Sequence, residues 1–106
     1  MSEISYNTPT LEILKTDIFD KWLTKVESQQ TKAIIVDHIT RMKGGNLGNT
    51  RSVGKRVFEK KINYARGFRL YYFFKKENTI ILLNGGDKST QSTDIEKAKN
   101  IKKNLV

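Results

Sequence analysis

Two arginines, Arg66 and Arg69, open an aromatic stretch, Ala65–Lys76 (ARGFRLYYFFKK), and Asp87 and Lys88 follow a pair of glycines further on. Guanidinium and ammonium groups are the side chains that hold phosphate, arginine in a planar bidentate grip and lysine as a point charge. In a strand, successive side chains face opposite ways, so Arg69, Tyr71 and Phe73 would share one face and Phe68, Leu70, Tyr72 and Phe74 the other. The second set suits packing on helices. The first offers a guanidinium beside a phenol, which can meet a polyanion as readily as fill space. Paired cations at the entry of a central strand have no packing purpose, so their chemistry points to function. Lys55, Arg56, Lys60 and Lys61 lie just upstream and suit backbone contacts that add affinity without sequence choice.

The charge balance agrees. The 106 residues carry a net charge of +9 with a pI near 9.9. Basic and acidic side chains cancel, six against six, through Thr50; from Arg51 onward there are 14 basic and five acidic. A basic half on one small domain implies a phosphate-rich or acidic partner. The absence of cysteine excludes a disulfide framework and a thiolate metal site. A single histidine, His38, excludes a two-histidine ribonuclease mechanism and a His-rich metal site, so neither metal nor cofactor is expected. It reads as a partly buried structural residue. No apolar run approaches membrane length and no signal peptide is visible, which predicts a soluble cytoplasmic protein with no membrane partner. The length predicts a single domain over 1–106, with 1–9 as a lead-in.

The positioning elements follow from periodicity. Leu11–Lys15 reads as a short strand, and Asp17 sits where a helix N-cap belongs. Phe19, Trp22, Leu23 and Val26 form one apolar helical face, with Trp22 as a core anchor. Thr31–Lys43 is a second helix, with Ile35, Ile39 and Met42 in register, Val36 beside them, and Gly44-Gly45 ending it. Gly44–Gly54 reads as a connector; its glycine spacing fails the phosphate-loop pattern. Val57–Ile62, the aromatic stretch and Thr79–Leu83 form an antiparallel meander joined by short turns, and Asp94–Leu105 is a basic C-terminal helix. The expected class is α+β: a small antiparallel sheet of the N-terminal strand plus the meander, two N-terminal helices on one face, and a C-terminal helix.

This order resembles the RelE/ParE superfamily of bacterial toxins, and more narrowly the HigB-like addiction-module killer proteins. The resemblance rests on F-x-x-W-L at Phe19–Leu23, G-G-N-x-G-N at Gly44–Asn49 and V-G-x-x-V-x-E at Val53–Glu59. It continues with R-G-F-R-L-Y-Y at Arg66–Tyr72, L-L-x-G-G-D-K-S-T-Q at Leu82–Gln91 and D-I-x-x-A at Asp94–Ala98. Lys60-Lys61 depart from the leucine and arginine usual there, which keeps charge but loses the planar grip on phosphate. The resemblance implies a RelE-like fold and the toxin of a type II toxin–antitoxin system. Its partners would be a cognate antitoxin, often a helix-turn-helix protein, and the ribosome and its messenger. Many members cleave that messenger in the A site; ParE-type members inhibit DNA gyrase instead. A catalytically silent binding module is the third alternative.

RNA can be cut without metal when its own 2′-hydroxyl attacks the neighbouring phosphate. Arg66 and Arg69 are then the candidate clamp for the phosphorane, with Tyr71 on the face of Arg69 and Lys61 directed to the same side. Lys88 is the candidate for proton transfer or leaving-group stabilisation, and Asp87 either orients it or caps a turn. Lys55, Arg56 and Lys60 would grip RNA backbone. No conventional base with a pKa near seven is present, which fits an enzyme that relies on the ribosome to align its substrate.

Overall fold

The computed structural model describes residues 10–105; the predicted lead-in, 1–9, lies outside them. Five strands form one sheet in the order β1-β5-β4-β3-β2, with β1 at Glu12–Lys15, β2 at Thr50–Gly54, β3 at Val57–Ile62, β4 at Phe68–Lys76 and β5 at Thr79–Gly86. Helices α1 (Asp17–Lys25) and α2 (Gln29–Lys43) contribute to the core on one face. A short 3-10 turn, Lys88–Thr90, leads into α3 (Gln91–Leu105), which packs on the other.

β4 is central because its alternation feeds two cores. Phe68, Leu70 and Tyr72 join Phe19, Ile35, Met42, Ile80 and Leu82. Tyr71 and Phe73 join Val57, Leu83 and Ala98 under α3. The predicted split of the strand into two faces therefore holds, but both faces are covered. Trp22 packs where expected, its ring centroid 5.5 Å from Phe19 and 6.5 Å from Phe68.

Four features differ from the sequence expectations. β1 joins β5 in parallel, Glu12 opposite Thr79 and Lys15 opposite Leu82, so the sheet is mixed rather than antiparallel throughout. The first helix is capped by Thr16, not Asp17. Its Oγ1 accepts from the Phe19 N–H at 3.0 Å and donates to the Leu83 carbonyl at 2.7 Å, fixing helix and sheet with one hydroxyl. Residues 50–54, read as connector, form β2, which pairs with β3 from Thr50 opposite Lys60 to Gly54 opposite Val57. Val36, placed beside the buried face of α2, is instead half exposed.

The β2–β3 turn consists of Lys55 and Arg56, both at left-handed φ of 56° and 61°. Such two-residue turns favour Asn-Gly, and each residue with a Cβ costs about 1–2 kcal/mol there.

β5 runs three residues past its apolar segment. Gly85 and Gly86, which a sequence reader takes for a loop, are buried strand residues. A Cβ on Gly85 would overlap the Trp22 ring, and one on Gly86 would overlap the Asp94 carboxylate. The missing side chains let α1 and α3 close on the strand from opposite sides. Among the described residues no helix is long and apolar enough to cross a membrane. Gly85→Ala and Gly86→Ala should each destabilise the fold by about 1–3 kcal/mol through overpacking, read as a lowered urea midpoint; an unchanged midpoint in both would mean the close approach is not required.

Candidate functional site

The segment 63–67 between β3 and β4 is a tight loop. The Tyr64 N–H donates to the Ile62 carbonyl at 2.9 Å and the Gly67 N–H to the Tyr64 carbonyl at 3.0 Å. Ala65 (φ 51°) and Gly67 (φ 73°) lie in the left-handed region on either side of Arg66. The Arg66 side chain is thereby presented to solvent, 71% exposed. The Lys88 N–H donates to the Arg66 carbonyl at 3.4 Å, so the exit of β5 is tied to this loop.

Lys61, Arg66, Arg69 and Lys88 meet around one depression of about 410 Å³, with Asn63, Tyr64, Ala65 and Gly67 completing its walls. Gly67 is the pivot. A Cβ there would lie 3.1 Å from Arg69 Nη1 and 3.8 Å from Lys88 Cβ. Lys61 stands opposite Arg69 in the β3–β4 register. The side chains that the sequence singled out at the end of β3, the entry of β4 and the exit of β5 are therefore neighbours.

Their states differ. Arg66 is exposed and held by an ion pair with Asp87 at 3.6 Å. Arg69 is 5% exposed; its Nη1 donates to the Gly67 carbonyl at 2.6 Å, and its Nε lies 3.9 Å from Glu59. It supplies positive charge from beneath the groove rather than an open clamp. Glu59, which the sequence reading left without a role, is the hub. Its Oε1 accepts from Arg51 Nε at 2.8 Å, and its Oε2 from Tyr71 Oη at 3.0 Å and Gln91 Nε2 at 2.9 Å. Burial pushes this carboxyl up, but the hydrogen bonds from Arg51, Gln91 and Tyr71 outweigh it and hold it below its ordinary value. Alternation in β3 was the available signal: Glu59 falls on the face of Lys61, opposite Tyr71.

Two sequence assignments, Tyr71 and Lys60, need correction, and the structure places Lys55, Arg56 and Asp87. Tyr71 is fully buried, and burial, then the charge and hydrogen bond of Glu59, drive its phenol far above the usual range. It stays protonated and stiffens Glu59; it does not reach the groove. Lys60 is 1% exposed on the opposite face, its Nζ donating to the Leu47 carbonyl at 2.9 Å, so it holds the loop before β2 rather than RNA. Lys55 and Arg56 are exposed but stand at the turn that opens β3, whereas Lys61 is near its end. Asp87 caps the 3-10 turn, accepting from the Ser89 N–H at 2.9 Å and from Ser89 Oγ. The Ser89 hydroxyl and, further down, Arg66 hold its carboxyl below the ordinary value. It restrains Arg66, and no bond joins it to Lys88.

His38 lies on α2 with Nδ1 buried and unbonded. Burial, then the charges of Lys60 and Arg41, lower its pKa, which keeps it neutral. Among the described residues no group of three or more histidine or acidic side chains is arranged to hold a metal.

A family model described as "Phage derived protein Gp49-like (DUF891)" matches residues 21–106. A protein of Haemophilus influenzae strain Rd, described only as an uncharacterized protein, is 42% identical over 90 residues, covering 85% of this chain and 91% of the relative. The fold is similar to a chain of the toxin–antitoxin complex RelBE2 from Mycobacterium tuberculosis, with a TM-score of 0.63 and 15% identity over 74% of this chain and 99% of that one. It is also similar to an arginine-to-alanine mutant of E. coli toxin RelE in the free state, with a TM-score of 0.66 and 11% identity over 85% and 94% of the two chains.

Because the folded-state pKa of Glu59 is depressed, its stabilisation is fully present above the ordinary carboxyl value of 4.5 and is lost as pH falls through the folded value. Glu59→Gln should therefore lower stability at neutral pH by about 3 kcal/mol, the scale for unpairing a buried charge. The deficit relative to the parent should shrink in acid. Urea titrations across that range check both; a constant deficit would mean that the charge of Glu59 is not what matters.

Proposed function

Because the chain belongs to the Phage derived protein Gp49-like family and has the fold of RelE toxins, we propose that it is the toxin of a type II toxin–antitoxin system and cleaves messenger RNA on the ribosome. The observation that carries this reading is the convergence of Lys61, Arg66, Arg69 and Lys88 on one groove. Charge placed in advance where charge develops is usually the largest catalytic term.

In the proposed reaction the messenger's 2′-oxygen attacks the adjacent phosphorus and the P–O5′ bond breaks. The products are a 2′,3′-cyclic phosphate and a 5′-hydroxyl. Arg66 grips the non-bridging oxygens as the phosphorane forms, and Arg69 adds positive potential from below. Lys61 holds the next phosphate along the strand. The Lys88 ammonium donates a proton to the departing 5′-oxygen, and the 2′-hydroxyl proton passes to water. None of the residues lining the groove is a carboxylate or imidazole, so alignment by the ribosome supplies much of the rate. Such a toxin works in the cytoplasm and is restrained by a cognate antitoxin, of helix-turn-helix type in the HigB-like group it resembles.

The same lack of a base favours a second reading, a binding toxin directed at DNA gyrase. Two substitutions separate them. Arg66→Ala and Lys88→Ala should each reduce cleavage of ribosome-bound messenger about 100- to 1,000-fold with an unchanged melting temperature, read by mapping 5′ ends after induction. DNA-damage signalling with no new messenger ends, insensitive to either substitution, would overturn the nuclease reading.

A further inference from the structure

The hairpin turn of Lys55 and Arg56 lies at the opposite end of β3 from the groove. From Val57 to Lys61 the strand alone spans about 13 Å at about 3.3 Å per residue. Other cations gather at this end. Lys99 Nζ comes within 3.3 Å of where a Cβ on Gly54 would lie, and Lys102 Nζ sits 5.4 Å from the centre of the Phe73 ring. Lys75 follows Phe73 by two positions on the same strand. Lys55, Arg56, Lys75 and Lys102 form no ion pair among the described residues; Lys99 has Glu96 at 3.5 Å.

The turn adds an independent observation. Its two residues hold left-handed φ values, which Asn-Gly adopts without penalty and Lys-Arg does not. Strain of this kind is retained where the strained side chains have work to do. Here both are basic side chains, exposed at the tip of the turn.

We propose that Lys55, Arg56, Lys75, Lys99 and Lys102 form a second contact surface, which binds the phosphate backbone of base-paired RNA while the groove takes the strand to be cut. The choice of RNA rests on the function proposed above; the surface itself does not. Lysine is depleted at protein–protein interfaces, whose affinity comes from buried aromatic and arginine anchors, whereas spaced lysines suit a row of phosphates. Double-stranded RNA is recognised mainly through its backbone and shape, which a rigid sheet end can match.

The test uses the full chain, a short RNA duplex and a single-stranded RNA of the same length. Lys55→Asn with Arg56→Gly installs the favoured turn, so the melting temperature should rise by roughly 4–8 °C. Duplex affinity should nonetheless fall roughly tenfold at low salt, and the slope of log affinity against log salt should shrink by about two. Lys55→Gln with Arg56→Gln keeps the strain and should lose the same affinity without the thermal gain. Arg66→Ala should weaken single-strand binding and leave the duplex untouched. Unaltered duplex binding in both turn variants, or binding of polyglutamate in place of the duplex, overturns the proposal. If the turn variants lose duplex while Arg66→Ala keeps single-strand affinity, the surface stands and the groove reading falls.

Discussion

A single buried carboxylate decides how one face of this sheet can be built. Arg51, Arg69 and Lys61 all project from β2, β3 and β4 toward α3, and three cations on a partly covered surface repel one another. Glu59 stands among them and gathers Arg51, Arg69, Tyr71 and Gln91 around its two oxygens. Because Gln91 begins α3, the same anion also fixes where that helix starts. The donors favour the ionised carboxyl, since burial alone disfavours that form and they more than offset it.

Around that centre, the position of the groove is set by two absences. Gly85 and Gly86 let Trp22 and Asp94 touch the backbone of β5 from opposite sides. Asp94 in turn accepts from Thr90 Oγ1, and its carbonyl accepts from Asn84 Nδ2 at 3.1 Å. The exit of β5 is thus clamped on both flanks just before Asp87 and Lys88. On the other side of the groove, the strained loop around Ala65 and Gly67 holds Arg66. The cations are therefore presented by short, over-determined connections rather than by long loops, which fixes their positions relative to one another.

Much of this was legible in the chain because the signals were periodic. Alternation along β4 gave the two faces, and the apolar spacing of α1 and α2 gave the helices that cover one of them. The α+β class followed. What escaped was decided by tertiary partners. Nothing local marks Thr50–Gly54 as a strand; it becomes one because β3 offers a free edge. Gly85 and Gly86 look like loop residues until Trp22 and Asp94 come against them. Lys60 and Lys61 are identical by composition, yet one step of the pleat buries the first and exposes the second. Tyr71 looked reactive beside Arg69, but only its distance from Glu59 shows that its proton is already committed.

The parallel pairing of β1 with β5 carries a kinetic implication. Glu12 and Thr79 are neighbours in space but far apart along the chain, so closing that ladder needs a long crossover and a high contact order. β1 has no ladder partner, and the Thr16 hydroxyl no acceptor at Leu83, until β5 has been synthesised, and Lys88 follows β5. A nascent chain therefore emerges with its cations unassembled, and the groove they line forms only after β5 and Lys88 have emerged.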